Sequence, residues 1–185
     1  MKHLGSQTLQ TKRLTLRPFK RTDAKMMFDN WASDERATQY LTWRAHKTLA
    51  QTEGLLESWV EAYGQTDYYK WAITLKDQLD EVIGDISVVS YNEGAQACEI
   101  GYVLSPNYWG RGITTEALRV VADYLLLEVN FNRLEALHDV NNVGSGKVMT
   151  KAGLQYEGTH RQYSLNNQGR VDSARYAILR EDLES

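Results

Sequence analysis

The stretch "SPNYWGRGITTEAL", Ser105 to Leu118, sets Gly110 and Gly112 on either side of Arg111, directly before a helix-like run. A helix start exposes backbone N–H groups that lack intrahelical acceptors and carries a partial positive charge, so it can hold an anion. Glycines there let a ligand approach the main chain closely. The S/T-x-x-E/Q cap that would occupy those groups is missing: Thr114 and Thr115 are followed three places on by Ala117 and Leu118. A plain turn capped by Thr114 is the other reading of the same residues.

Two phosphate-binding patterns are excluded residue by residue. "VNNVGSGKVMT" lacks the first glycine of a nucleotide-triphosphate loop, where Asn141 stands, and the hydroxyl after its lysine, where Val148 stands. "GRGITT" puts Thr115 where a dinucleotide fingerprint needs its third glycine.

The elements that must carry these residues follow from periodicity. "RLTLRPF" alternates and stops at Pro18, "RTDAKMMFDNWAS" and "TLAQTEGLLESWVEAYG" have helical spacing, and "YYKWAITL", "EVIGDISVVSY" and "ACEIGYVL" read as three consecutive strands. Ala117, Leu118, Val121, Ala122, Leu125 and Val129 mark a helix after the glycines. "RLEALHDV" is a strand, "NVGSGKVMTKAG" a short helix, and "LQYEGTHRQY" and "VDSARYAIL" a hairpin joined at "NNQG". Strands and helices interleave, which gives an α/β or α+β sheet in one domain.

Composition narrows the function classes. The net charge of -3 with mixed signs and no basic block argues against nucleic acid or an anionic membrane as partner. The longest apolar segment, "VVADYLLLEV", is half a membrane span and contains Asp123, and the first ten residues lack a signal peptide's apolar stretch, so a soluble protein is expected. One cysteine, Cys98, and four scattered histidines offer neither a disulfide nor a metal site, and the cytoplasm is the expected compartment.

With these residues in view, the chain resembles the GCN5-related N-acetyltransferases (GNAT), in the branch of the ribosomal-protein alanine and serine N-acetyltransferases. The family's R/Q-x-x-G-x-G/A motif falls on Trp109, Gly110, Arg111, Gly112, Ile113 and Thr114, with Trp109 and Thr114 departing from it. "TKRLTLRPFKRTDA", "EIGYVLSPNYWGRG", "NVGSGKVMTKAGLQYEGTHR" and "VDSARYAILREDL" resemble the branch's segments in its order.

The resemblance implies a single domain over residues 1–185, with residues 1–10 as a loosely ordered tail. Its sheet is expected to be mixed, mostly antiparallel, of about seven strands flanked by about four helices and splayed at the cofactor strand. It implies acetyl-CoA as ligand, with the diphosphate on backbone N–H groups of the motif and Arg111 adding charge at the rim or lying in solvent. The pantetheine arm is expected along Tyr102, Val103 and Leu104, an N–H near Tyr102 polarising the thioester carbonyl. Asn142 and Ser145 are expected beside the thiol end, or as caps of their helix.

Acetyl transfer needs a neutral amine, and a lysine-like amine has a pKa of about 10.4, so a base is required. Glu99 is the carboxylate candidate, although alternation sets it on the opposite face from Ile100 and Tyr102, so a bulge is needed to aim it. His138 is the rival base, and water the third option. Met149 stands where many relatives carry an acidic tyrosine, which leaves Ser145 to return a proton to the thiol. Tyr40 and Trp43, in the non-periodic "QYLTWRAH", are the expected acceptor contacts. The amine, small molecule or protein N-terminus, stays open, as do a non-catalytic sensor, another acyl donor, and a monomer or homodimer.

Overall fold

The strands predicted by alternation form one twisted sheet in the computed structural model, which describes residues 1–184. In chain order the elements are β1 (Leu9–Gln10), β2 (Leu14–Arg17), α1 (Ala24–Met27), α2 (Glu35–Thr38), α3 (Leu49–Ala62), β3 (Lys70–Leu75) and β4 (Gln78–Asn92). There follow β5 (Ala97–Leu104), α4 (Ile113–Asp123), β6 (Arg133–Asp139), α5 (Val143–Ala152), β7 (Gln155–Asn166), β8 (Gly169–Leu179) and α6 (Arg180–Glu184). The sheet order is β1-β2-β3-β4-β5-β6-β8-β7. Every pairing is antiparallel except β5 with β6, which α4 connects as a crossover.

Two apolar layers hold helices to the sheet. On one face Ala117, Leu118, Val121 and Leu125 from α4 and its continuation pack against Trp71, Ile86 and Ile100. The other face buries Met27, Trp31 and Leu56 against Ala72, Val82 and Val103. Each such fully buried aliphatic side chain contributes roughly 1.5–3 kcal/mol relative to exposure, so the two layers fix the helices that border the splayed strands.

The structure departs from expectation in three places. Among the described residues there are eight strands and six α-helices, because β1, α2 and α6 are only two, four and five residues long and too short to show a period. The helix expected over residues 21–33 is broken into short pieces that end in a widened turn at Phe28–Ala32. Residues 1–10 are tied down rather than loose. Tyr69 Oη bonds His3 Nδ1 and accepts from the Leu4 N–H, Tyr124 Oη donates to the Gly5 carbonyl, and Trp71 Nε1 donates to that of Gln7. Buried aromatic rings with polar tips need partners, and this segment supplies them.

Candidate active site

Pro106 has no N–H to extend β5, and the chain leaves the strand through a single tight turn, Pro106–Tyr108. Gly110 (φ +75°) and Gly112 (φ +73°) both take left-handed conformations, and α4 starts at the next residue. The first helical bond runs from the Glu116 N–H to the Gly112 carbonyl at 3.1 Å. Among the described residues, the N–H groups from Gly110 to Thr115 have no acceptor, and no side chain caps the helix. Nothing lies within 4 Å of where a Gly110 side chain would start. Such an open row of donors at a helix start fits the diphosphate of acetyl-CoA.

The strand before the loop supplies a second set of free groups. β5 and β6 pair only over Ala97–Glu99 with Arg133–Glu135, and beyond Glu99 they part. Val103 pairs with Asp85 in β4 and the Ser105 N–H donates to the Ile83 carbonyl at 2.8 Å, so alternation turns the main-chain groups of Tyr102 and Leu104 toward the gap. One of them is already taken: Trp109 Nε1 donates to the Leu104 carbonyl at 2.9 Å. The N–H and C=O of Tyr102 and the N–H of Leu104 remain for an extended ligand, as an added strand would use them.

At the far side of the gap α5 presents Ser145. Tyr102 Oη lies 2.8 Å from Ser145 Oγ, a bond in which either hydroxyl can donate, and 3.2 Å from the Ser145 carbonyl, the other acceptor for its one proton. Burial holds the Tyr102 hydroxyl well above the ordinary phenol pKa, outweighing the Ser145 bond, so it stays protonated and can donate. Asn142 is the N-cap of α5: its side chain accepts from the Ser145 N–H at 3.4 Å. His138 is turned under α5, with Nδ1 2.7 Å from the Asp139 carbonyl and Nε2 buried with no hydrogen-bond partner among the described residues. A side chain at Gly146 would stand 2.8 Å from that nitrogen.

A register shift lies in the neighbouring strand, where β4 passes from Val88, opposite Ile100, to Ser90, opposite Glu99; β5 itself keeps its alternation, so Glu99 shares its face with Gly101 and Val103. Burial, then the Glu135 carboxylate on β6, push the Glu99 pKa up, while Arg175 and a hydrogen bond with Ser90 pull it partly back. A carboxyl displaced upward is a stronger base once ionised. On the same side of the sheet Lys70 Nζ meets Asp85 Oδ1 at 3.1 Å and Ser87 Oγ at 3.2 Å, and lies 3.9 Å over the Trp59 ring.

A strap closes this end. Asn167, in the turn between β7 and β8, donates its N–H to the Leu41 carbonyl (3.1 Å) and its Nδ2 to those of Thr38 (2.8 Å) and Trp43 (2.7 Å). Tyr40 Oη donates to the Asn141 carbonyl at 3.4 Å, across the mouth toward the β6–α5 corner.

One cleft of about 1000 Å³ runs through all of these parts. Of the residues singled out in the sequence, Glu99, Tyr102, Val103, Leu104, Trp109, Gly110, Gly112, Ile113, Thr114, Asn142, Ser145, Tyr40 and Trp43 border it, and so does His138. Arg111 does not: its guanidinium lies over the Tyr108 ring, 5.2 Å from the centroid. Val103 borders the cleft but turns its main chain to β4 and its side chain to the second core. Sequence reasoning missed the Tyr102 hydroxyl, the Lys70–Asp85 pair and the Asn167 strap. Each joins residues far apart in the chain, and only the odd polar positions in otherwise apolar strands hinted at Lys70 and Asp85.

The comparisons with known proteins agree with this geometry. The family model described as "Acetyltransferase (GNAT) domain" matches residues 13–155. Uncharacterized N-acetyltransferase p20 of Bacillus licheniformis is 29% identical over 176 residues, covering 95% of this chain and 98% of that protein. Probable N-acetyltransferase YjcK of Bacillus subtilis is 30% identical over 187 residues, covering 95% and 99%. Among solved structures, the ribosomal-protein-S5-alanine acetyltransferase from Vibrio fischeri superposes with a TM-score of 0.82 at 22% identity, covering 96% of this chain and 98% of that one, a likeness of fold. With its glycine loop, splayed strands and full-length relatives, the chain belongs to the GNAT family of acetyl-CoA-dependent N-acetyltransferases.

Proposed function

We propose that the cleft acetylates a primary amine, a protein N-terminus or a small molecule, in a ternary complex with acetyl-CoA. The observation that carries this reading is the convergence, in one cleft, of free N–H groups at Gly110–Thr115, an unpaired strand edge at Tyr102–Leu104, and Glu99. When bound, acetyl-CoA supplies the acetyl group as an activated thioester.

In this reading the Gly110–Thr115 N–H groups hold the diphosphate, and the helix start adds roughly 0.3–1 kcal/mol. Tyr102 and Leu104 align the pantetheine arm with their main-chain groups. The Tyr102 N–H also faces the position where negative charge develops, the kind of donor whose loss costs on the order of 100-fold or more in rate. Glu99 takes a proton from the incoming ammonium, directly or through water, because at neutral pH only about one lysine-like amine in 10³ is free base. Ser145 Oγ, backed by Tyr102 Oη, delivers a proton at the thiol end. Tyr40, Trp43 and the Lys70–Asp85–Ser87 group line the acceptor's end of the cleft.

Calorimetric titration of acetyl-CoA, paired with thiol release across a panel of amines and N-terminal peptides, tests the reading. It predicts binding together with amine-dependent release that Glu99→Gln suppresses. Binding without release for any amine would refute the catalytic assignment, and absence of binding would refute the whole reading.

A further inference from the structure

Arg13 lies in the turn between β1 and β2, remote in sequence from the glycine loop, yet it is bonded to both the loop and α4. Its Nη1 donates to the Arg111 carbonyl at 2.9 Å, and its Nε donates to Glu116 Oε2 at 2.7 Å. The second oxygen of Glu116 accepts from the Arg13 N–H at 2.9 Å and from Thr11 Oγ1 at 2.5 Å. Glu116 belongs to the first turn of α4, so one guanidinium ties the helix start to the middle of the loop.

The bond to Arg111 has a directional effect. In a trans peptide the carbonyl and the following N–H point opposite ways, so holding the Arg111 carbonyl on Arg13 turns the Gly112 N–H away from Arg13. At Gly112 a side chain would start 3.6 Å from Arg13 Nη2, an ordinary contact on the Arg13 side of the loop. Two glycines with left-handed backbones are costly to order, and a preset loop spares that entropy when a ligand binds.

Glu116 supports the same conclusion from the side of charge. A carboxylate one turn from a diphosphate site repels the ligand. Partial burial pushes its pKa up, yet the bonds from Thr11 and Arg13 outweigh burial and leave it lowered, so it is firmly ionised at neutral pH. Its bonding pattern accounts for its presence as the anchor of Arg13.

We infer that Arg13, anchored by Glu116, is a positioning residue that presets the Arg111–Gly112 peptide for the diphosphate of acetyl-CoA. This rests on the proposed role of the Gly110–Thr115 loop.

The test compares Arg13→Ala, Arg13→Lys and Glu116→Gln with the wild type, using steady-state kinetics in both substrates and titration with CoA. Arg13→Ala is expected to raise the acetyl-CoA KM and the CoA Kd on the order of tenfold, while kcat at saturation stays within about twofold and the acceptor KM is unchanged. Lysine lacks the fork that reaches Glu116 and Arg111 together, so Arg13→Lys is expected to behave like alanine. Glu116→Gln discriminates by sign. If only the charge near the diphosphate mattered, removing the carboxylate would tighten CoA binding, whereas loss of the anchor weakens it.

A ligand-free readout separates this inference from the site reading. Arg111 is exposed and is followed by Gly112, so trypsin can cut there, and Arg13→Ala is expected to speed that cut several-fold. Wild-type CoA affinity in Arg13→Ala, or tighter binding in Glu116→Gln, would overturn the inference while leaving the loop's role intact. Failure of the wild type to bind CoA would instead overturn the loop's role, and the inference with it.

Discussion

Gly110→Ala is a clean probe of the glycine loop because nothing crowds the site. Gly110 sits at φ +75° with no atom within 4 Å of a would-be side chain, so an added methyl clashes with nothing outside the local backbone. The left-handed conformation itself costs an alanine roughly 1–2 kcal/mol. In the complex this geometry must hold for the N–H row to face the diphosphate. If the free loop relaxes, the whole strain falls on binding, and 1–2 kcal/mol converts to a Kd raised about 5- to 30-fold. If it does not relax, the strain appears in stability as a Tm lowered by about 2–8 °C for a domain of this size. Calorimetry with CoA is the assay, because the stiffening of the unfolded chain by alanine does not enter a binding constant. Gly110→Asn should recover much of the loss, since asparagine tolerates this conformation. An alanine variant with wild-type Kd and wild-type Tm would refute the argument that the left-handed backbone is required.

Three further outcomes are expected. Glu99→Gln should lower kcat by about 10²–10⁴-fold with CoA affinity unchanged. It should also stabilise the fold at pH values above the folded-state pKa of Glu99. The Glu99 pKa is raised by folding, so its ionised form is penalised in the native state, and stability present below the unfolded pKa is lost as pH rises through the folded one. Thermal melts across pH should show the variant's advantage growing on that rise and vanishing in acid. Ser145→Ala and Tyr102→Phe should each lower kcat with little change in acetyl-CoA affinity, and should not add when combined because the hydroxyls lie 2.8 Å apart; an unchanged kcat in Ser145→Ala removes it from the mechanism. Asn167→Ala removes two side-chain bonds that hold the 38–43 strap, and steady-state kinetics should show the acceptor KM rising about 3- to 10-fold while the acetyl-CoA KM stays put.

How far the sequence could be read depended on the range of the interactions. Leu14 and Leu16, the alternating runs of β3 to β5 and the 3.6-residue stripe of α4 are local patterns, and they were legible. Pro106 and the two glycines marked the loop, because proline and left-handed glycine are chemical signals in themselves. The splay between β5 and β6 followed only from the family resemblance, since no local pattern says where two strands stop pairing. The first ten residues misled because their bonds to Tyr69, Trp71 and Tyr124 belong to partners far along the chain. Glu99 was found with its need for a bulge, but β5 keeps its alternation and the register shift lies in β4, where only pairing reveals it. Arg111 drew attention by its place between the glycines, yet its guanidinium lies over the Tyr108 ring and its carbonyl accepts from Arg13, a bond that no local pattern announces.

A crystal structure with CoA bound tests the central claim most directly. The account predicts diphosphate oxygens within about 2.7–3.2 Å of N–H groups between Gly110 and Thr115, with the thiol beside Ser145 Oγ and the pantetheine arm along Tyr102 and Leu104. A diphosphate bound away from that loop, with its N–H groups left to water, would contradict it.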